Sequence, residues 1–333
     1  MMKQRDLSID YLRFIGISMI ILAHVAAPFG LTQFRCFDVP LMIFVSGLTA
    51  SGKTVPDYFG YIWARSKRLL VPVYVFLTGL FLKLYLLQFM DVFTGYLSMK
   101  KVVHTYLLLE GIGYVWIIRV FLLIMLLTPF LIRFEMACKN NVVYGSICLG
   151  LLFVNDLMLL MEYPLPGGKI VNIFVTEFLM YLIGYVPLFL LGLRLRYSGD
   201  KVKLTYMCCS IACCILGFAV HGFSYDLSAY KYPPQFYFLI YGVMASVCLW
   251  VLKDVICKLV DFVKIKPFAL FVGQNTIWIY LWHIPFVLLF NGVIGNWFIR
   301  YVVIYACAVM MMKIQVSIVK KVENAWVSKY FMG

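Results

Sequence analysis

Ten apolar runs, each near the length that crosses a lipid bilayer as a helix, set what this chain can become. They fall near residues 8–28, 36–51, 69–90, 114–134, 142–162, 172–194, 203–222, 235–256, 267–290 and 296–317. A spanning helix takes roughly 17–25 predominantly apolar residues, and only the second run is short. Inside a bilayer the backbone must satisfy its own hydrogen bonds, which leaves helices for runs of this length. The expected architecture is therefore all-α: a polytopic bundle of about ten transmembrane helices forming a single membrane domain over residues 1–333. The spans cover 8–317, and 318–333 reads as a short cytoplasmic tail. No internal repeat or low-complexity linker divides the chain. The first run is span-length and others follow it, so it reads as a resident helix and not as a cleaved signal.

Hydrophobic residues make up 64% of the chain and charged residues only 13%, which excludes an ordinary soluble domain. The net charge of +14 would suit nucleic acid, but the positive residues sit in short stretches between apolar runs. That is the pattern of membrane topology, so no nucleic-acid partner is expected. One side collects Lys3, Arg5, Lys53, Arg65, Lys67, Arg68, Arg133, Lys139 and the basic residues of 194–203, 253–266 and 320–329. The other side holds Arg35, Lys100, Lys101, Lys169 and Lys231. The richer side is expected to face the cytoplasm, with both termini on it. The ten cysteines show no metal-ligand spacing, and Cys208, Cys209, Cys213 and Cys214 lie in an apolar run as small hydrophobes. Neither a metal site nor a disulfide framework is expected.

Within the first run, SIDYLRFIGISMIILAHVAAP, stand Asp10, Arg13 and His24. An ionisable group in a span costs about 3 kcal/mol or more, so its default reading is functional. Asp10 and Arg13, three apart, share a helix face and can pair. Arg13 and His24, eleven apart, lie on one stripe with a rise of about 16 Å between them. With both termini inside, the ion pair sits near the cytoplasmic face and the imidazole towards the outer face. Histidine is the side chain best suited to move protons near neutral pH. The plainer alternative makes Asp10–Arg13 an interfacial ion pair and His24 a helix–helix hydrogen bonder.

After the second run, the loop DYFGYIWARSKRLLVPVY carries Arg65, Lys67 and Arg68. Guanidinium groups grip phosphates through paired hydrogen bonds. By itself the cluster reads better as positive-inside charge or lipid headgroup binding. Just upstream, Gly47 to Thr54 matches the phosphate-binding pattern GxxxxGK[ST]. Pro56 follows closely and no α/β unit surrounds it, so the match is taken as chance. Trp116 and Arg119 open the fourth run, Glu177 lies in the sixth, His221 ends the seventh and His283 lies in the ninth, with Lys83 in the third. Singly each reads as a snorkelling or bundle-locking residue, and Trp116 and Trp282 as interfacial belt residues. Together they suggest a polar cavity open to the outside. Lys231, Pro233 and Pro234 make a stiff entry to the eighth helix.

DYLRFIGISMIILAH, VPLMIFVSGL, RSKR and NTIWIYLWHIPF occur in that order. Together they resemble the membrane acyltransferase-3 family, over about residues 5–290. The resemblance implies transfer of an acyl group, usually acetyl, from cytoplasmic acyl-CoA to a sugar hydroxyl of a cell-surface glycan or its lipid-linked precursor. It implies a stand-alone, multi-pass enzyme of a bacterial inner membrane. The family's Arg/His pair maps onto Arg13 and His24, and its RxxR motif onto Arg65 and Arg68. On this reading Arg65 and Arg68, with Lys67, hold the phosphates of acyl-CoA. Arg13, positioned by Asp10, takes a further polar group. His24 serves as general base on the acceptor hydroxyl or, alternatively, as an acyl-imidazole relay. Trp116, Arg119, Glu177 and His283 fall on the acceptor side. Acyl-CoA is a co-substrate, no cofactor is permanently bound, and membrane lipid is the remaining partner. The competing readings are a transporter or flippase using the buried charges as a path, and a non-enzymatic scaffold.

Overall fold

The computed structural model describes residues 6–52, 57–90, 97–109, 112, 115–161, 166 and 168–332. Lys3 and Arg5, and the residues 53–56 that complete the phosphate-loop look-alike, lie outside them. Among the described residues there is no strand. In chain order the helices are α1 (Leu7–Leu22), α2 (Phe29–Phe34), α3 (Asp38–Ala50), α4 (Tyr58–Phe89), α5 (Met99–Tyr106), α6 (Trp116–Ala137), α7 (Asn141–Leu159) and α8 (Gly168–Ile173). They continue with α9 (Met180–Leu195), α10 (Asp200–Val220), α11 (Phe236–Val251), α12 (Lys253–Phe262), α13 (Lys266–Gln274), α14 (Thr276–Phe290), α15 (Trp297–Val322) and α16 (Ala325–Phe331). Side-chain oxygens start many of them. Asp6 accepts from the Ser8 amide, Asp57 from Gly60, Asn140 from Val142 and Val143, and Asn296 from Phe298 and Ile299.

All ten expected runs carry helix. Seven helical stretches among the described residues are long and apolar enough to cross a membrane, and α11 with α12, bent by 66°, make an eighth if counted as one span. At 16 and 15 residues, α1 and α14 are shorter than a full span. The ninth expected run breaks at Asn275, between α13 and α14. The protein is a multi-pass, all-helical membrane protein.

Its helices fall into two compact units, each built from separated segments. The first comprises Met1–Pro56 and Leu126–Gln274. Here α3 packs against α1, α9 and α11. A Cβ on Gly47 would collide with the Phe189 carbonyl, and one on Gly192 with that of Phe44. Glycine at both places lets the backbones of α3 and α9 touch, the usual way membrane helices gain packing without a hydrophobic driving force. α12 and α13 cover the start of α1 through Tyr11, Val260 and Ala269.

The second unit comprises Asp57–Met125 and Asn275–Gly333. Three donors tie its end together. Trp278 Nε1 donates to the Tyr330 carbonyl at 3.0 Å, Trp282 Nε1 to Gln315 Oε1 at 2.7 Å, and Gln315 Nε2 to the Phe331 carbonyl at 2.7 Å. The segment expected as a tail is thus largely helix: α15 runs on to Val322, and α16 folds back onto α14 and α15. Trp282, expected in an interfacial belt, holds α14 to α15. The prolines before the eighth run lie outside α11, which starts after Gln235.

Candidate active site

Asp10 is the hub at one end of the first unit. Its side chain is 1% exposed, a position an ionised carboxylate occupies only when well paired. Arg13 Nη1 donates to Asp10 Oδ1 at 3.1 Å, the i,i+3 pair expected from the spacing. Gln274 Nε2 donates to Asp10 Oδ2 at 3.4 Å. A Cβ on Gly273 would collide with the Asp10 carbonyl, so α13 lies directly on the α1 backbone. Arg13 Nη2 in turn donates to Thr49 Oγ1 at 3.0 Å, whose own proton goes to the Val45 carbonyl. The guanidinium is held from two sides and its side chain remains 26% exposed. That is an oriented, partly exposed cation.

The Arg13–Thr49 bond joins the start of α1 to the end of α3, so the two helices are antiparallel. Their other ends are joined through His24, α2 and the 3-10 turn Arg35–Phe37. A first helix through residue 28 was expected, but α1 ends at Leu22. The His24 amide donates to Ile21 in a tightened final turn, and Ala26 takes a left-handed φ of 48°. Pro28, at the N-cap of α2, disfavours helical backbone at the residue before it and directs the reversal. His24 therefore sits half-buried in the turn just past α1, at the opposite end of the hairpin from Arg13.

A second polar cluster occupies that same end. Arg35 Nη1 donates to Asp38 Oδ2 at 2.8 Å, and Lys231 Nζ lies 3.8 Å from Asp38 Oδ1. Beside it Gln33 donates to Ser228 Oγ at 3.0 Å and to Asp226 at 3.3 Å, and accepts from the Ser228 amide at 2.9 Å. Gln33, Arg35, Asp38 and Lys231 are all buried. Glu177, also in the first unit, lies half-buried in the π-helical stretch Phe174–Leu179, a backbone form frequent at functional sites. His221 caps α10, bonds the Gly217 carbonyl at 2.8 Å and lies against Tyr230 and Tyr237, a packing role.

In the second unit the basic cluster is helical, where a loop was expected. α4 begins at Tyr58, eleven residues before the apolar run, because Ala, Arg and Lys are good helix formers and Asp57 caps the start. Arg65 and Arg68 are exposed, three apart on one face. Arg65 lies over the Tyr61 ring at 5.7 Å and Lys67 over Trp63 at 4.0 Å. Arg119 is buried, with Nη1 donating to the Leu109 carbonyl at 3.5 Å, and Trp116 is half-buried at the start of α6. His283 is fully buried and its Nδ1 bonds the Tyr280 carbonyl of its own helix. Of the residues expected on the acceptor side, Glu177 belongs to the first unit and Trp116, Arg119 and His283 to the second.

A family model described as an acyltransferase domain matches residues 6–312. The chain belongs to the acyltransferase-3 family. It is a membrane acyltransferase, and the match takes in both clusters of the α1–α3 hairpin and the basic face of α4. No curated protein and no solved structure matches it. Reading the sequence alone missed the two residues that bracket the acyltransferase's ion pair, Thr49 and Gln274. Neither stands out by type. The signal available was position: Thr49 two residues before the end of an apolar run, and Gln274 beside a glycine at the break in the ninth.

Proposed function

We propose that this acyltransferase moves an acyl group, acetyl foremost, from cytoplasmic acyl-CoA to a hydroxyl of a cell-surface glycan or its lipid-linked precursor. The setting is the inner membrane of a bacterium, with ten passes and both termini inside. The observation that supports this most is the α1–α3 hairpin, with a braced, partly exposed guanidinium at one end and an imidazole at the other. Arg65 and Arg68, with Lys67, grip the phosphates of CoA. Arg13 takes a further polar group of the donor, and Asp10, Thr49 and Gln274 hold it in place. His24 accepts the proton of the acceptor hydroxyl. The oxygen then bonds to the thioester carbon, the C–S bond breaks, and the CoA thiolate leaves and takes up a proton. Trp116, Arg119, Glu177 and His283 are assigned to the acceptor on the family resemblance alone.

The decisive experiment uses the full chain in vesicles with acetyl-CoA labelled in the acetyl group. Transfer of label to a glycan fraction, or slow thioester hydrolysis without it, is the expected result, and both disappear in His24→Ala. Labelled acetyl-CoA crossing the membrane with its thioester intact would instead establish a transporter.

A further inference from the structure

A cleft of about 470 Å³ lies open along the first unit between α7 and α10. It runs from Asn141 to Leu152 on α7 and from Lys201 to Cys213 on α10, with α9 and α11 lining the rest. At 1.5 Å per residue that is a length of about 16–18 Å, close to one leaflet of a hydrocarbon core about 30 Å thick. Gly145, Ser146, Cys148, Cys209 and Ser210 in its walls are small, the kind of residues that let two membrane helices close on each other. Here they face open space. α7 packs on α9 and α10 on α11, and Tyr206 bridges the two pairs. Its hydroxyl donates to the Asn141 carbonyl at 2.6 Å, and a Cβ on Gly145 would press on its ring. Charge is confined to the end where both helices start. Lys201 stands there, and among the described residues it forms no ion pair, while the neighbouring Asp200 carboxylate binds Lys203 Nζ at 3.0 Å. Arg194, which donates to Asn141 Oδ1 at 3.3 Å, is answered by Glu135. Leu149, Leu152 and Cys213 make the far end apolar. An apolar slot one leaflet long with a cation at its mouth has the shape and charge of a chain that carries an anionic head.

We propose that this cleft is a lipid site, holding one acyl chain of a phospholipid with an anionic headgroup. The lipid comes from the leaflet on the side of Lys139, Lys201 and Lys203. Its chain lies along α7 and α10 and supplies the packing that their small residues leave unmade. Its phosphate sits at Lys201, whose own methylene stem lies along the slot while the ammonium stays at the headgroup level. Any lipid chain would cover an apolar slot, and the charge at the mouth selects among headgroups. The site shares no residue with the Asp10–Arg13 ion pair or with His24, and it rests on neither.

The test is thermal unfolding of the full chain in a neutral detergent, titrated with phosphatidylglycerol or with phosphatidylcholine of the same acyl chains. Phosphatidylglycerol should give a saturable rise in Tm, on the order of 2–4 °C above that given by phosphatidylcholine. One chain fills the slot, so lysophosphatidylglycerol should do the same. Lys201→Gln should bring the response to phosphatidylglycerol down to that of phosphatidylcholine. Cys209→Phe fills the slot from an exposed position and leaves Lys201 in place, and it should abolish the difference between the two lipids. Both positions are exposed, so both variants should fold. Equal responses in the wild type, no response to the single-chain lipid, or a difference that survives in either variant overturns the site. A polyprenyl phosphate is the second arm. If it raises Tm and phosphatidylglycerol does not displace it, the slot holds a carrier lipid and the phospholipid assignment falls. None of these readouts needs acyl transfer, so the catalytic reading and the lipid site stand or fall separately.

Discussion

At the scale of single residues, the proposed chemistry separates from the scaffolding around it. His24→Ala should insert and fold normally yet lose about 10²–10⁴-fold in acyl transfer, the range for removing a general base. Transfer in vesicles, normalised to folded protein, measures it, and full activity would remove the assignment. Thr49→Val keeps side-chain volume but withdraws an oxygen that accepts from Arg13. It should raise KM for acyl-CoA about tenfold with kcat little changed, and Thr49→Ser should restore it. At Asp6, ahead of α1, burial would raise the carboxyl pKa, but the Ser8 hydrogen bonds and the Arg196 guanidinium, 2.7 Å away, outweigh it and hold it below 3.8. The folded state therefore favours the ionised form. Its stabilisation is complete above that value and lost as pH falls through the lower folded pKa. Melting curves of wild type and Asp6→Asn should differ at neutral pH and converge in strong acid.

At the scale of helices, the spans were legible because apolar composition over a span length admits little else. Their ends were not. α1 stops at Leu22 because a left-handed residue and a proline six positions on turn the chain, and no change in hydropathy marks it. α4 runs through Arg65 and Arg68 because basic residues suit a helix as well as a loop, and Pro72 within it does not end it. Of the site, Asp10–Arg13 was legible since its spacing is local. Asp38–Lys231, 193 positions apart, was not, because only the fold brings them together. Two outcomes test the elements as built. Gly192→Leu should separate α9 from α3 and lower stability by about 1–3 kcal/mol or more, read as a drop in Tm. Arg65→Ala with Arg68→Ala should weaken acyl-CoA binding most at low salt, since screening erodes the wild-type advantage at high salt. An unchanged affinity at both would assign that face of α4 to lipid.

At the scale of the molecule, eight stretches among the described residues satisfy the length of a span when α11 and α12 are taken as one, and the short helices α1 and α14 bring the proposed total to ten. An even count puts both termini on one side. Protease sites placed at each end should stay intact in sealed right-side-out vesicles, and cutting at one end alone would give an odd count. The docking of α16 has a practical side. Trp278 stacks on Phe331, and Trp326 packs against Tyr330 and Phe331. Indole emission should shift to the red when the last seven helical residues peel away. The chain thus carries a built-in optical gauge of whether its far end is seated, and a purification tag should be judged by that colour before it is trusted.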